Sequence, residues 1–274
     1  MALITISRQL GSLGNDIADA LKNELSYAYL DKIQLEEMLV STYGLPEESV
    51  EKYDEKKPAF WDIFFSEKDR YLHFMKTAMY EFAQQGNGII LGRGGQVLLK
   101  DVPGALHVRV VAPMELRLER VKQRYNCDDR LAEQLIRNSD HDRIGFQKFF
   151  FHVNWEDLSQ YDLVMNTGTF TVVQVVEFVK SAIEMLDLKR KQEDCAKKLA
   201  DLCLGQAVVT QIAYKEKLPI QFLEALVDQG VVTLRGSTIT ADDIQRCEQI
   251  AKTVPGVKQV VNEVYFIPNT FGMA

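Results

Sequence analysis

Residues 2–25, reading ALITISRQLGSLGNDIADALKNEL, constrain the fold more than any other stretch of this chain. Ala2-Leu3-Ile4-Thr5-Ile6 is a short apolar, β-branched run of the kind found in a strand buried within a parallel sheet. A turn with two glycines follows, Ser7-Arg8-Gln9-Leu10-Gly11-Ser12-Leu13-Gly14, and then Ile17, Leu21 and Leu25 recur every four residues along one face of a helix. A strand, a glycine-containing turn and a helix in that order can hold an anion, because loop N–H groups and the positive end of the helix dipole converge on one point. The turn departs from the G-x-x-x-x-G-K-[ST] pattern of a phosphate loop. With Gly14 as the second glycine, Gln9 stands at the first, Asn15 at the lysine and Asp16 at the magnesium-binding hydroxyl. Taken alone, the stretch fits either an altered phosphate loop or an ordinary strand-turn-helix with an Asn-Asp start.

Composition narrows the class. At 274 residues, with 46% hydrophobic and 26% charged residues, the chain has room for two globular domains. A net charge of -7 argues against a protein built to coat nucleic acid. No apolar run has transmembrane length and the N-terminus lacks a signal-peptide pattern, so the expectation is a cytoplasmic protein. Cys127, Cys195, Cys203 and Cys247 are widely spaced without a C-x-x-C, and His141 and His152 lack ligand spacing. Reduced thiols and no bound structural metal are therefore expected.

Further along, Tyr27 to Lys32 reads as a short second strand, Ile33 to Leu39 as a helix, and Lys68 to Gln84 as another. Between them, residues 41–67 carry charged turns, two prolines and the aromatics Phe60, Trp61, Phe64 and Phe65, either a segment closing over a ligand or an insertion packed on the body. Gly88-Ile89-Ile90-Leu91-Gly92-Arg93-Gly94-Gly95 is a buried-strand run that delivers an arginine among glycines to the strand's carboxyl end, where open α/β sheets bind ligands. Such an arginine suits a bidentate grip on phosphate; a structural ion pair is the alternative. Ala105 to Val111 is a further strand, and Pro113 opens a helix over Met114 to Tyr125 with Arg117, Arg120 and Arg124 on one face. From Arg117 to Lys148 there are eight Lys/Arg against six Asp/Glu, a locally basic segment that suits a lid over polyphosphate or a solvated helix face. Tyr161 to Thr167 reads as the last strand of this sheet, followed by one long helix from Val172 to about Leu199.

Together these motifs resemble a known family. S-R-Q-x-G-S-x-G after a strand, Y-x-D-K at 29–32, G-R-G at 92–94, V-x-A-P-x-x-x-R-x-x-R from Val110, D-x-x-R at 140–143 and Y-D-L-x-x-N at 161–166 are similar to the bacterial cytidylate kinase-like proteins, within the P-loop nucleoside monophosphate kinases. The resemblance covers roughly residues 2–185. It implies an α/β fold with a parallel sheet flanked by helices, ATP with Mg²⁺ as donor, and a nucleoside monophosphate, CMP, as acceptor. It further implies that Gly11, Ser12 and Gly14 cradle the donor phosphates and that Arg93 holds the acceptor's phosphate. Arg117, Arg120 and Arg143 would bring charge to the transferring group. Arg8 is a candidate to replace the lysine missing at Asn15, Asp16 stands beside the phosphates, and Asp31 and Asp140 are candidates for metal or acceptor contacts. Leu13, where the family pattern has glycine, is a departure. The alternative is a kinase fold that binds nucleotide without efficient transfer and acts as a regulator.

Residues 203–268 form a second expected unit after a helical linker at 188–202, the first domain spanning 1–187. Gln206 to Ala213 and Ile220 to Gln229 are amphipathic, Gly230 to Gly236 reads as a strand between glycine turns, Asp242 to Thr253 as a helix, and Gly256 to Phe266 as a final alternating strand. G-V-V-T-L-x-G, a helix and V-P-G-V-x-x-V-x-N-x-V resemble the BON domain, a small α+β module. That resemblance implies either phospholipid or other ligand binding, or a homo-oligomer contact. No basic stripe or amphipathic anchor on this chain adds to the membrane reading.

Overall fold

Leu3, Ile4 and Ile6 are almost wholly buried, and a strand with both faces covered belongs at the centre of a parallel sheet. A computed structural model describes residues 2–53, 65–186 and 191–268, without the side chains of residues 65 and 66. The aromatics Phe60, Trp61 and Phe64 lie outside the described residues. In chain order the elements are β1 (Leu3–Arg8), α1 (Gly14–Leu25), β2 (Ala28–Leu30), α2 (Lys32–Ser41), α3 (Glu47–Lys52), α4 (Phe65–Gln84), β3 (Gly88–Leu91), α5 (Gly95–Leu98), β4 (Ala105–Val111), α6 (Met114–Tyr125), α7 (Asp129–Phe151), β5 (Leu163–Asn166) and α8 (Val172–Met185). Then come α9 (Gln192–Val209), a π-helical turn (Thr210–Lys215), β6 (Gln221–Asp228), β7 (Val231–Thr238), α10 (Ala241–Thr253) and β8 (Gln259–Phe266). The chain divides into two compact units, Met1–Cys195 and Ala196–Ala274.

In the first unit five parallel strands run in the order β2-β3-β1-β4-β5. Ala2, Ile4 and Ile6 face Ile17, Ala18 and Leu21 of α1 and Val175, Val176 and Val179 of α8 in one cluster. Each such aliphatic side chain, taken out of water, contributes about 2 kcal/mol. Thr5 points to the other face, where Thr5 Oγ1 and His107 Nδ1 are 2.8 Å apart. The strand order sets the place of the site. The chain leaves β1 toward β2 on one side and leaves β3 toward β4 on the other, so the crevice between the carboxyl ends of β1 and β3 is the topological switch point.

The second unit is a three-stranded sheet, β6-β7-β8. β6 and β7 are antiparallel, with the register shifting between Gln221 and Glu224, while β7 and β8 are parallel and joined through α10. Its core gathers Val208, Ile212, Leu234, Cys247, Ala251 and Val264.

Two expectations need correction, and one charged stretch gains a defined element. The single long helix from Val172 is two helices, α8 ending at Met185 and α9 beginning at Gln192. The charged stretch before Phe146 is part of one 23-residue helix, α7, started by Asp128, whose carboxylate accepts the Leu131 N–H. Gly236 does not close its strand but sits inside β7 at φ +151, where a Cβ would meet Ile220 at 2.7 Å and the Gln221 carbonyl at 2.9 Å. That close approach lies at the shifted register of β6.

Candidate functional site

The turn after β1 is held by its carbonyls. Arg143 Nη1 donates to Arg8 O at 2.7 Å, Arg117 Nε to Leu10 O at 2.7 Å, Arg120 Nη1 to Gly11 O at 3.2 Å, and Thr167 Oγ1 to Ser12 O at 2.9 Å. Gln9 O accepts from Ser12, from both its N–H and its hydroxyl. In a trans peptide the N–H points opposite to the preceding C=O, so drawing the carbonyls of Leu10 and Ser12 to one side turns the N–H groups of Gly11 and Leu13 to the other. They join the N–H groups of Gly14, Asn15 and Asp16, which open α1 and have no intrahelical acceptor. The result is a row of donors at the positive end of a helix.

Two glycines make this geometry possible. Gly11 has φ +80 and a Cβ there would stand 2.9 Å from Arg117 O; a Cβ on Gly14 would stand 2.4 Å from Arg8 Cβ. Leu13 occupies a left-handed conformation too, at φ 62, which glycine adopts without strain and leucine does not.

Arg117 and Arg120 therefore sit behind the loop. Arg117 is 5% exposed, and its Nη2 also donates to Asp140 Oδ2 at 2.5 Å, while Asp140 Oδ1 accepts the Leu10 N–H at 3.4 Å. Arg120 further donates to Thr167 Oγ1 and Thr167 O at 2.9 and 2.8 Å. Arg124, expected on the same face, is exposed. Arg8 reaches the position where a phosphate loop carries lysine, its Nε donating to Asn15 Oδ1 at 3.1 Å. Asp16 is exposed and is the acidic residue of the first turn of α1. Asp31 caps α2, accepting from Gln34 N while the Gln34 side chain accepts from Asp31 N.

Arg93 lies at the switch point. Gly92, Arg93 and Gly94 are all left-handed, at φ 80, 52 and 74, so the chain turns sharply as β3 ends. Gly94 is obligatory there, because a Cβ would lie 2.1 Å from the Phe151 ring. Arg93 is 3% exposed, donates to Glu36 Oε1 at 2.8 Å and lies 5.3 Å from the centre of the Phe146 ring. Arg8, Arg93 and Arg143 together line one pocket, closed further by Ser7, Gln147 and the rings of Phe146 and Trp155. It encloses about 20 Å³, room for a water-sized body, so admitting a phosphate requires its walls to part. Tyr29, on the neighbouring edge, has its phenol pushed up to about 12 by burial and by Asp19 and Asp31.

Sequence reasoning missed Ser7, Gln147, Thr167 and Arg109. Thr167 could have been found as the polar residue that directly follows β5. Arg109 could have been flagged as a charge inside an apolar strand run.

Comparison with known proteins places this geometry in a family. The model of the cytidylate kinase-like family matches residues 3–169, more than half of the chain, and the BON domain model matches residues 204–268. A cytidylate kinase of Methanocaldococcus jannaschii is 34% identical over 108 residues, 39% of this chain and 61% of that protein. One from Archaeoglobus fulgidus is 25% identical over 191 residues, 69% of this chain and 99% of that protein. A 97-residue stretch, 35% of this chain, is 33% identical to a uronate isomerase of Corynebacterium glutamicum, of which the chain spans 19%. An uncharacterized protein from Eubacterium ventriosum shares the fold at a TM-score of 0.54 and 18% identity, over 67% of this chain and 99% of that one. The first unit has a kinase-like nucleotide-binding fold, and among the described residues no helix is long and apolar enough to cross a membrane. The chain belongs to the cytidylate kinase-like family and carries a BON domain after its kinase-like unit.

Proposed function

We propose that the first unit transfers a phosphoryl group from MgATP to a nucleoside monophosphate, CMP being the first candidate. The observation that carries the reading is the meeting of Arg8, Arg93 and Arg143, from three separate segments, on one pocket at the switch point. The donor's phosphates bind the N–H groups of Gly11, Leu13 and Gly14. The acceptor's phosphate enters the arginine pocket and attacks the terminal phosphorus in line. One P–O bond forms to the acceptor as the bond to the ADP oxygen breaks. Such transfer needs positioning and charge neutralisation more than covalent chemistry. Arg8 supplies the charge that lysine gives elsewhere, Arg143 joins it, and Arg117 and Arg120 keep the loop carbonyls turned away.

Mg²⁺ arrives with ATP as part of the substrate. An ion held mainly by phosphates needs only one or two protein carboxylates, which Asp16, exposed at the start of α1, can provide. Among the described residues no three His, Cys, Asp or Glu side chains gather for a resident metal.

A second reading has its own support. Arg93 and Arg117 are engaged by Glu36 and Asp140, and the pocket is closed, as in a fold that binds nucleotide to signal rather than to turn over. In that case the C-terminal unit would respond, by ligand binding or self-association. Incubating the full chain with MgATP and a panel of nucleoside monophosphates separates the two. Transfer to one acceptor, reduced in Arg93→Ala, supports the kinase. Nucleotide binding with no transfer to any acceptor supports the regulator, and Asn15→Lys tests whether the altered loop is the reason.

A further inference from the structure

β4 sets Arg109 directly beside Ser7 of β1. Arg109 is 3% exposed, and no carboxylate pairs with it among the described residues. A cation so placed is held by weaker partners. The Trp155 and Tyr161 ring centres lie 4.1 and 5.3 Å from its guanidinium carbon, and Nη1 donates to Trp155 O and, at 3.2 Å, to the Tyr161 hydroxyl. Among the described residues its Nε has no partner. Leaving a buried guanidinium without a counter-ion is costly, so its retention calls for a use.

The direction of the hydrogen bonds identifies one. A guanidinium and an indole N–H can only donate. Tyr161 oxygen is thus an acceptor from Arg109, and its own proton is left for Trp155 O at 3.1 Å and Ser7 Oγ at 3.3 Å. Trp155 Nε1 donates to Ser7 Oγ at 2.8 Å. The Ser7 oxygen therefore accepts from the indole N–H and shares the one Tyr161 proton with Trp155 O, and its own proton is left to face the pocket. Ser7 lines the same pocket as Arg8, Arg93 and Arg143.

Resting on the reading of that pocket as the acceptor-phosphate site, we infer that Ser7 is a dedicated hydrogen-bond donor to the phosphate oxyanion, oriented by a relay from the buried Arg109 through Tyr161. Ser7 touches the ligand; Trp155, Tyr161 and Arg109 are positioning residues. The relay fixes the polarity of the pocket wall, so that Ser7 offers a proton to an oxyanion and no acceptor to the proton of a neutral hydroxyl.

The test uses the full chain, with inorganic phosphate, CMP and MgATP titrated separately into folded protein by calorimetry. Ser7→Ala is expected to weaken phosphate and CMP about tenfold, the worth of one hydrogen bond to a charged group, and to leave MgATP within twofold. Tyr161→Phe keeps the ring and removes the link; it is expected to weaken phosphate several-fold alone and not at all in the Ser7→Ala background. If Ser7→Ala does not fold, Tyr161→Phe carries the test by weakening phosphate and not MgATP. Unchanged phosphate affinity in Ser7→Ala or Tyr161→Phe, equal losses for phosphate and MgATP, additive losses in the double variant, or no phosphate or CMP binding by the parent chain would each overturn the inference. Failure of the kinase reading looks different: Ser7-dependent phosphate binding without transfer removes that reading and leaves this one, whereas transfer with Ser7-independent phosphate affinity does the reverse.

Discussion

The two units handle charge in opposite ways. In the first, Arg93, Arg109 and Arg117 are each 5% exposed or less, and all three lie close to the turns that follow β1 and β3. In the second, among the described residues, Asp243 is the one charged side chain so deeply buried, and Arg246 pairs with it at 3.2 Å from the next turn of α10. Two further ion pairs, Arg235 with Glu263 and Lys252 with Glu248, are on the surface, where water and salt screen them. Burying a cation costs several kcal/mol before its partners compensate, so repeated burial at one edge of a sheet points to a ligand or to a polar loop that must be held rigid. The second unit has an apolar core, with ion pairs at its surface.

The largest test of this contrast compares two glycines. Gly94→Ala sets a Cβ 2.1 Å from the Phe151 ring at φ +74 and should lower stability by about 3 kcal/mol or more in urea unfolding. Gly256→Ala, in the second unit at φ +97 with its nearest neighbour Leu204 at 3.5 Å, meets backbone strain alone and should lose only about 1 kcal/mol. Equal losses would break the comparison.

Next in size is Arg93→Ala, expected to weaken nucleoside monophosphate binding about thirtyfold while MgATP changes little. Equal weakening of both ligands would mean that Arg93 supports the whole site through Glu36 rather than the acceptor alone.

Acid should act on the first unit, which holds all four histidines. Burial, with Lys76 nearby, pushes His73 down to about 4, and burial also lowers His107. An unfolded imidazole takes up its proton near pH 6.5, well before these folded ones do, so the unfolded chain binds more protons between about pH 6.5 and 4. Stability is full above that window and falls as pH drops through it, by on the order of 2 kcal/mol for His73. Denaturation midpoints measured from pH 7 to 4 should show this slope, and His73→Leu should flatten it; an unchanged slope would remove His73 as its source.

The smallest effect is at Leu13. Leu13→Gly relieves the left-handed leucine and should stabilise by about 0.5 kcal/mol, strain relief slightly exceeding the extra chain entropy of glycine. A loss of stability would show that the Leu13 side chain contributes packing that outweighs its strain.

Most of the sheet was legible because burial on both faces leaves a plain apolar signature. The run Ala105–Val111 and the helix Met114–Tyr125 coincide with β4 and α6 to the residue. Ile220 to Gln229 read as amphipathic without a period; in β6 it alternates between half-buried and exposed residues, as a sheet edge does. The site was legible only in pieces. Gly11, Gly14 and Arg93 stand out locally, but nothing near Arg143 signals that it reaches back to Arg8 O, 135 residues away. The role of Arg109 depends on Trp155 and Tyr161, 46 and 52 residues further on. Arg117 and Arg120 read as charges for a substrate, whereas their geometry turns them to the loop's own carbonyls.

The central claim is that the arginine pocket takes a phosphate group, and the most direct measurement compares CMP with cytidine binding to the full chain by calorimetry under one set of conditions. The account predicts that CMP binds at least about thirtyfold more tightly than cytidine and that Arg93→Ala closes the gap. Equal affinities for the two, no binding of CMP, or a gap that persists without Arg93 would contradict it.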